Sequence, residues 1–329
     1  MTPLLYYKEY FCDKVVLVTG GAGLIGTDLI LKLSSLNVKS IVCVDIKPRP
    51  NVFNNIILNY IQIDANNLTI ETLKNIDPQI IFHLAATFER TIETIEFYND
   101  NFINNVKLNN HMGSLYRQLK NLERVIFASS YLIYNSNLYT FTDPQTVPVI
   151  INENTEIYPR NICGGAKLLH ETELNYMQQF AQNNFTAVMP RIYRVYGPGE
   201  CGRLGGTVIN RWIDGLIKNE NDALNLFAKE GMFDYIYSED VSFALMLLAS
   251  STHKGIINLG KGDARTIQNV IEILKLHFPK IQYYETFTNQ KYEACQSNMD
   301  KFYEITGWRP TITLEQGIEK CIKKKIGIQ

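Results

Sequence analysis

Short apolar runs rich in β-branched residues recur along the chain. They alternate with stretches in which apolar residues return every three to four positions. The first pattern is that of a buried strand and the second that of an amphipathic helix. Strands are expected at 15–19, 41–45, 60–64, 80–86, 124–130 and 185–192, and helices at 27–34, 68–76, within 97–120 and from Gly165. Residues 1–13 read as a short extension before the first strand. Strand–helix alternation at this spacing implies βαβ units, hence an α/β fold with a doubly wound parallel sheet covered on both faces. In such sheets ligands lie beyond the carboxyl ends of the strands. Asp45, Asp64, Ala85, Ala86 and Ser130 all fall at expected carboxyl ends, on one edge.

After Gly197-Pro198-Gly199 the pattern loosens. Residues 207–218 form an amphipathic pattern with Ile209, Trp212, Ile213, Leu216 and Ile217 on one face. A strand-like run at 235–237 leads into a helix at 239–249. A further strand and helix follow at 255–260 and 266–277, and the chain ends in a Lys-rich helix. The expected division is a core at 1–195 and a smaller mixed α/β lobe at 196–329, with segments around 234–262 returning to the core.

Composition narrows the classes. With 329 residues, 46% hydrophobic and 20% charged, the chain has ordinary globular proportions. A net charge of −1 provides no field to recruit nucleic acid or an acidic membrane. No apolar run is long enough to span a bilayer, and the first residues lack a basic-then-apolar secretory layout. Six cysteines without C-x-x-C spacing and five histidines without i, i+4 pairing suggest reduced thiols in a cytoplasmic protein and no metal site. The abundant asparagines, as in NDNFINNVKLNN, read as compositional bias without functional meaning.

The most informative stretch is VVLVTGGAGLIG at 15–26, an apolar run entering a glycine-rich turn ahead of a helix. Gly20 permits the tight turn, Gly23 lets backbone N–H groups approach a pyrophosphate, and Gly26 allows close helix–strand packing. The spacing is G-x-x-G-x-x-G, with Gly21 as an extra glycine. The second strand run ends in Asp45, 19 residues after Gly26 (45 − 26), about where a dinucleotide site places the acid that takes the adenosine ribose. That acid favours NAD over NADP, although Lys47 and Arg49 stand close by.

Ten motifs in order then carry a resemblance over nearly the whole chain. They are TGGAGLIG (19–26), VD (44–45), ID (63–64), HLAA (83–86), SSYLIY (129–134), PRNICGGAKLLHE (159–171), PRIYRVYGPG (190–199), DYIYSEDV (234–241), INLGKG (257–262) and GWRP (307–310). The chain resembles the extended short-chain dehydrogenase/reductases of the nucleotide-sugar epimerase/dehydratase group. The resemblance implies a Rossmann-type core, a C-terminal lobe for the sugar nucleotide, tightly held NAD, and a homodimer or higher homo-oligomer paired through helices near 97–120 and from Gly165. Carried over by residue, Gly20, Gly23, Leu24, Ile25 and Gly26 hold the pyrophosphate and Asp45 the ribose. Asp64 and Ala65 face the adenine, and Leu84, Ala85 and Ala86 line the cofactor. Ser130 orients the substrate, and Lys167 holds the nicotinamide ribose while biasing a neighbouring pKa.

The departures are as informative. The family's acid–base tyrosine, four residues before the lysine, is Cys163 here. A thiol is shorter than a phenol and a weaker hydrogen-bonding group. Three readings stand open: Cys163 works through a closer substrate or a bridging water; Tyr131, Tyr158 or Tyr193 takes over; or the chemistry is slow or absent. Arg194 stands where the family often has an asparagine near the substrate phosphates, and is a capable phosphate ligand. Phe233, Glu293 and Ala294 stand where basic residues are usual, with Arg203 and Arg211 as conceivable replacements. Tyr131-Leu132 replaces the Asp-Glu pair of dehydratases. The expectation is NAD-dependent oxidation at a sugar carbon, C4 in the first place, of a nucleotide-activated sugar, as a 4-epimerase or 4-dehydrogenase. The alternative is a catalytically silent NAD-binding relative with a structural, sensing or partner-binding role.

Overall fold

The computed structural model describes residues 2–88, 93–180, 185–199, 208–219, 223–286 and 291–327. Its central sheet begins with β1 (Val15–Thr19), β2 (Ser40–Asp45), β3 (Asn59–Gln62), β4 (Ile80–His83), β5 (Arg124–Phe127) and β6 (Ser129–Ser130). It is completed by strands Thr186–Ile192 and Gly255–Leu259. Across the sheet the order is Gly255–Leu259, Thr186–Ile192, β5, β4, β1, β2, β3, with β6 paired to the upper end of Thr186–Ile192. Every pairing within it is parallel. The doubly wound parallel α/β sheet expected from the chain is therefore present.

Alternation along each strand builds the two faces. Val16 and Val18 of β1, with Ile41 and Cys43 of β2 and Phe82 of β4, pack on one side against α1 (Pro3–Phe11), α2 (Leu24–Ser34) and the helix Ser238–Ala249. Leu17, Val42, Val44 and Ile81 face the other side. There they meet α3 (Ile70–Ile76), α5 (Leu108–Tyr116) and α6 (Ile162–Met177). Residues 3–11 are thus a packed helix and not a loose extension. Pro3 opens the helix locally, while its docking comes from distant partners: Phe11 is fully buried, and Tyr7 meets Phe243 edge-on at 5.2 Å. Burying a side chain the size of Phe11 contributes about 1.5–3 kcal/mol, enough to dock two turns.

Between β4 and β5 one long helical run was expected, and the chain instead forms α4 (Ile95–Asn101), a π-helical segment Phe102–Lys107 and α5. The helix bearing Cys163 and Lys167 begins at Ile162, capped by Asn161, whose Oδ1 accepts from Gly164 N at 2.9 Å. Thr69 likewise caps α3.

The C-terminal residues assemble a second core around Tyr196, Ile209, Trp212, Ile213, Leu216, Ile271, Leu274 and Ile318. A small cluster of Tyr131, Leu132, Tyr134, Tyr139, Ile151, Tyr193 and Cys295 fills the space beside the carboxyl end of the sheet. The strand Gly255–Leu259 is the outermost partner of Thr186–Ile192, so this late segment lies within the central sheet. Among the described residues no helix is long and apolar enough to cross a membrane.

Candidate active site

The turn after β1 is held from three directions. Gly20 has φ +72°, and its N–H donates to Val44 O at 2.8 Å. A Cβ at Gly20 would stand 2.6 Å from Ala85 N, and one at Gly26 would stand 2.6 Å from Gly21 Cα. Strand end, turn and helix therefore share a space that only glycine fits. Gly23 is the N-cap of α2 and offers no side-chain acceptor, so the first N–H groups of the helix point to solvent or a ligand. Leu24 and Ile25 occupy the first turn, half-buried. Asp45, at the end of β2, accepts from Ala22 N through Oδ2 and from Lys47 N through Oδ1, both at 2.9 Å. Arg49, a possible anchor for a 2′-phosphate, is instead turned onto the carbonyls of Phe53, Ile56 and Leu58. Asp64 caps a short turn by accepting from Asn66 N at 2.8 Å, with Ala65 buried behind it.

Beyond β4, Leu84 N donates to Thr19 O at 3.1 Å, and Leu84, Ala85 and Ala86 remain half-buried along the same edge. His83 is fully buried between Thr19 Oγ1 at 2.7 Å and Asn109 Oδ1 at 3.0 Å. Burial drives its pKa well below the usual imidazole value, with His170 and Lys167 adding to the effect, so it is neutral. Next comes a set of contacts that the sequence reading missed. Asn105 accepts from Thr87 N at 3.1 Å and donates to Thr87 O at 3.2 Å and Asn101 Oδ1 at 2.6 Å. Its Nδ2 also lies 3.9 Å from the Cys163 sulfur. Asn101, Asn105 and Asn109 are buried, and their spacing of four puts them on one helical face toward the site. Here the asparagine-rich stretch is structural machinery and not compositional bias; its period of four was the available signal.

Cys163 and Lys167 lie one helical turn apart on the buried face of α6. The Lys167 ammonium donates to Ala128 O at 2.8 Å and sits 4.7 Å from the centre of the Phe127 ring. Burial lowers its pKa to about 8, against opposing contributions from Cys163 and Glu171. Ser130 is half-buried, and its Oγ accepts from Leu132 N at 3.2 Å. One helical turn beyond Lys167, Glu171 locks helix to sheet. Arg191 grips it through Nε at 3.0 Å and Nη2 at 2.7 Å, and Ser129 Oγ donates to it at 2.5 Å. The segment carrying Ser130 and the helix carrying Lys167 are thereby tied together. Arg191 also lies 4.7 Å from the Tyr134 ring centre, and the Tyr134 hydroxyl donates to Asn258 at 2.6 Å.

None of the three alternative tyrosines has Cys163 among its described partners. The Tyr131 hydroxyl donates to Glu293 Oε1 at 3.1 Å, and its ring stacks on Tyr193 at 4.8 Å. Tyr193 is buried, and its pKa is raised by burial and by Cys295, Tyr134 and Asp234. Tyr158 is 65% exposed. Arg194 donates to Glu293 Oε2 at 3.1 Å, and Arg160 donates to the same oxygen. Burial pushes the Glu293 carboxyl up, but Arg194 and Arg160 outweigh it and hold the pKa below the ordinary value. Phe233 lies under the Arg194 guanidinium, 4.6 Å from ring centre to carbon. Arg211 is exposed on the helix Val208–Lys218, and Arg203 lies outside the described residues.

These residues fit a bound dinucleotide. The glycine cradle tolerates no Cβ, the helix N-terminus is uncapped by any side chain, and Asp45 stands at the carboxyl end of the neighbouring strand.

Comparison with known proteins agrees. A family model described as the NAD dependent epimerase/dehydratase family matches residues 16–260. The dTDP-4-dehydro-6-deoxyglucose reductase of Escherichia coli is 27% identical, with 94% of this chain and 96% of that protein covered. Among solved structures, MoeE5 in complex with UDP-glucose and NAD superposes with a TM-score of 0.78 at 24% identity, covering 95% of this chain and 98% of that one. A UDP-N-acetylglucosamine 4-epimerase from Methanobrevibacter ruminantium M1 gives 0.80 at 22% identity, covering 96% and 99%. With the motifs, the sheet and the glycine cradle in agreement with the family model, the chain belongs to the NAD-dependent epimerase/dehydratase family of extended short-chain dehydrogenase/reductases.

Proposed function

We propose that the protein oxidises a ring carbon, C4 in the first place, of a nucleotide-activated sugar, acting as a 4-epimerase or 4-dehydrogenase. The observation that carries this is the buried Cys163–Lys167 pair one turn apart, tied by Glu171 and Ser129 to the segment bearing Ser130. NAD, when bound, supplies the group that takes the hydride from the sugar carbon and can return it. Gly20, Gly23, Leu24, Ile25 and Gly26 would hold its pyrophosphate, Asp45 its adenosine ribose, and Asp64 with Ala65 its adenine. Leu84, Ala85 and Ala86 would line it, and Lys167 would hold the nicotinamide ribose.

In this reading Ser130 fixes the reacting hydroxyl, and its proton passes, directly or through one water, to the Cys163–Lys167 pair. A lysine with a pKa near 8 is matched to accepting a proton close to neutral pH. Arg194 would contact the substrate. Relatives named as an epimerase, a decarboxylase and a reductase make the family's reactions diverse, so the C4 assignment rests on the family resemblance alone. The test is incubation of the NAD-loaded protein with UDP-, GDP-, CDP- and dTDP-hexoses, read by nicotinamide absorbance and by product chromatography. Epimer or keto sugar is expected from one of them, and no product from any overturns the reading.

The protein would pair through α4 to α6. Tyr98, Phe102, Leu169 and Tyr176 are exposed on these helices, beside a groove of about 190 Å³ between α5 and α6.

A further inference from the structure

Glu293 is 5% exposed, yet the guanidinium groups that hold it keep much more of their surface open, Arg160 at 32% and Arg194 at 28%. Both reach Oε2. The other oxygen, Oε1, accepts from the Tyr131 hydroxyl at 3.1 Å and the Cys295 thiol at 3.4 Å. Three stretches meet around this carboxylate. One is the turn Tyr131–Ile133, which starts directly after Ser130. Another is the loop entering α6, where Arg160 N donates to Leu132 O at 2.8 Å. The third is the strand Arg194–Tyr196, which follows Ile192 at the top of the sheet. Glu293 is thus hydrogen-bonded directly to Tyr131, the residue after Ser130. A second buried acid, Asp234, adds to the negative charge near Cys295 and helps to raise its thiol pKa. It accepts from Ser297 Oγ at 2.5 Å and from the N–H groups of Lys261 and Gly262 at 2.6 and 3.1 Å.

Arginine forks are well suited to reading a carboxylate, and two open ones beside the sugar would favour an acidic sugar. Here both are already engaged by an internal carboxylate. An incoming carboxylate would meet guanidinium groups whose charge Glu293 already offsets, and drawing either of them away would leave the buried Glu293 short of a cation, which the desolvation of an unpaired charge opposes. Repulsion of the wrong substrate by a built-in like charge is a recurrent route to specificity. We infer that Glu293 is a specificity-determining residue that restricts the sugar to an uncharged one and rejects a uronic acid. The inference rests on the nucleotide-sugar reading above, and it concerns which glycosyl group is taken.

UDP-glucose and UDP-glucuronate differ only in the group at issue. Their binding is to be measured by calorimetry on the NAD-loaded wild type and on Glu293→Gln, whose amide keeps the shape while releasing the guanidinium charges. The wild type is expected to bind UDP-glucose at least tenfold more tightly, and the ratio is expected to fall at least tenfold in the variant. Equal binding by the wild type overturns the inference even if the variant fails to fold, and so does an unchanged ratio in a folded variant. Arg194→Gln, which removes one cation and keeps Glu293, is expected to widen the wild-type preference; a narrowed preference overturns the inference. If the wild type binds neither uridine sugar, the neutral and acidic pairs on GDP, CDP and dTDP are compared in the same way. Binding of none of them overturns the nucleotide-sugar reading and this inference with it, whereas binding in the wrong ratio overturns the inference alone.

Discussion

Lys167 and Ala128 are joined by a hydrogen bond of 2.8 Å, ammonium to carbonyl oxygen, in a place that leaves the lysine 8% exposed. That one acceptor replaces little of the hydration a free ammonium enjoys, so the pKa falls from 10.5 to about 8. The sign follows. Between pH 8 and 10.5 the unfolded chain binds the proton and the folded one sheds it, so stability rises with pH across that window. Below pH 8 the cost of the buried cation is present in full, on the order of 3 kcal/mol. Without NAD, Lys167→Met is expected to unfold at pH 7 at a urea concentration no lower than wild type and to lose the rise between pH 8 and 10.5. A midpoint that drops sharply would show the ammonium to be stabilising.

The same titration should appear in turnover. Oxidation of the sugar in the direction that releases a proton is expected to accelerate as pH climbs through about 8, where the Lys167 pair becomes able to accept one. Cys163→Ala is expected to lower kcat by about 10²-fold with a smaller change in KM, and Cys163→Ser by less. Full activity in Cys163→Ala would leave Lys167 as the sole proton acceptor of the pair.

Gly20→Ala tests the cradle. The new methyl would meet Ala85 N at 2.6 Å in a backbone conformation of φ +72°. Left-handed strain and the clash together are expected to destabilise by about 2–4 kcal/mol. NAD released from the purified variant on denaturation should fall well below one equivalent. A variant that melts like wild type and retains NAD would contradict the geometry.

Glu171→Ala removes the carboxylate that Arg191 and Ser129 share, leaving a buried guanidinium unpaired. Breaking a buried pair from one side is expected to cost about 3–5 kcal/mol. Denaturant unfolding measures it, and Glu171→Gln should recover part of the loss. A change under 1 kcal/mol would mean that helix and sheet hold their alignment without the clamp.

Leu169 is 57% exposed on α6. Leu169→Glu is expected to convert a homodimer to monomer in analytical ultracentrifugation, with the fold retained by circular dichroism. A dimer that persists at micromolar concentration would move the interface elsewhere.

The linear order of residues determined whatever depends on neighbours a few positions apart. The continuous apolar run in VVLVT dictated a strand buried on both faces, and Gly20, Gly23 and Gly26 marked the turn because each answers a local steric demand. Asp45 and Ser130 could be assigned to one edge because parallel strands all end on the same side. The docking of residues 3–11 was not legible, since Phe11 and Tyr7 find their partners far along the chain, Tyr7 at Phe243. Nor was the role of Asn101, Asn105 and Asn109, which acquire meaning only where a π-helical segment faces Thr87 and Cys163. The fate of the charges was likewise a tertiary decision. Arg194 read as a substrate ligand and Glu293 as a lost cation, but their pairing across 99 residues follows from three segments converging on one desolvated carboxylate. Local sterics act through adjacent bonds, whereas burial and ion pairing are properties of a place that exists only after the chain has folded.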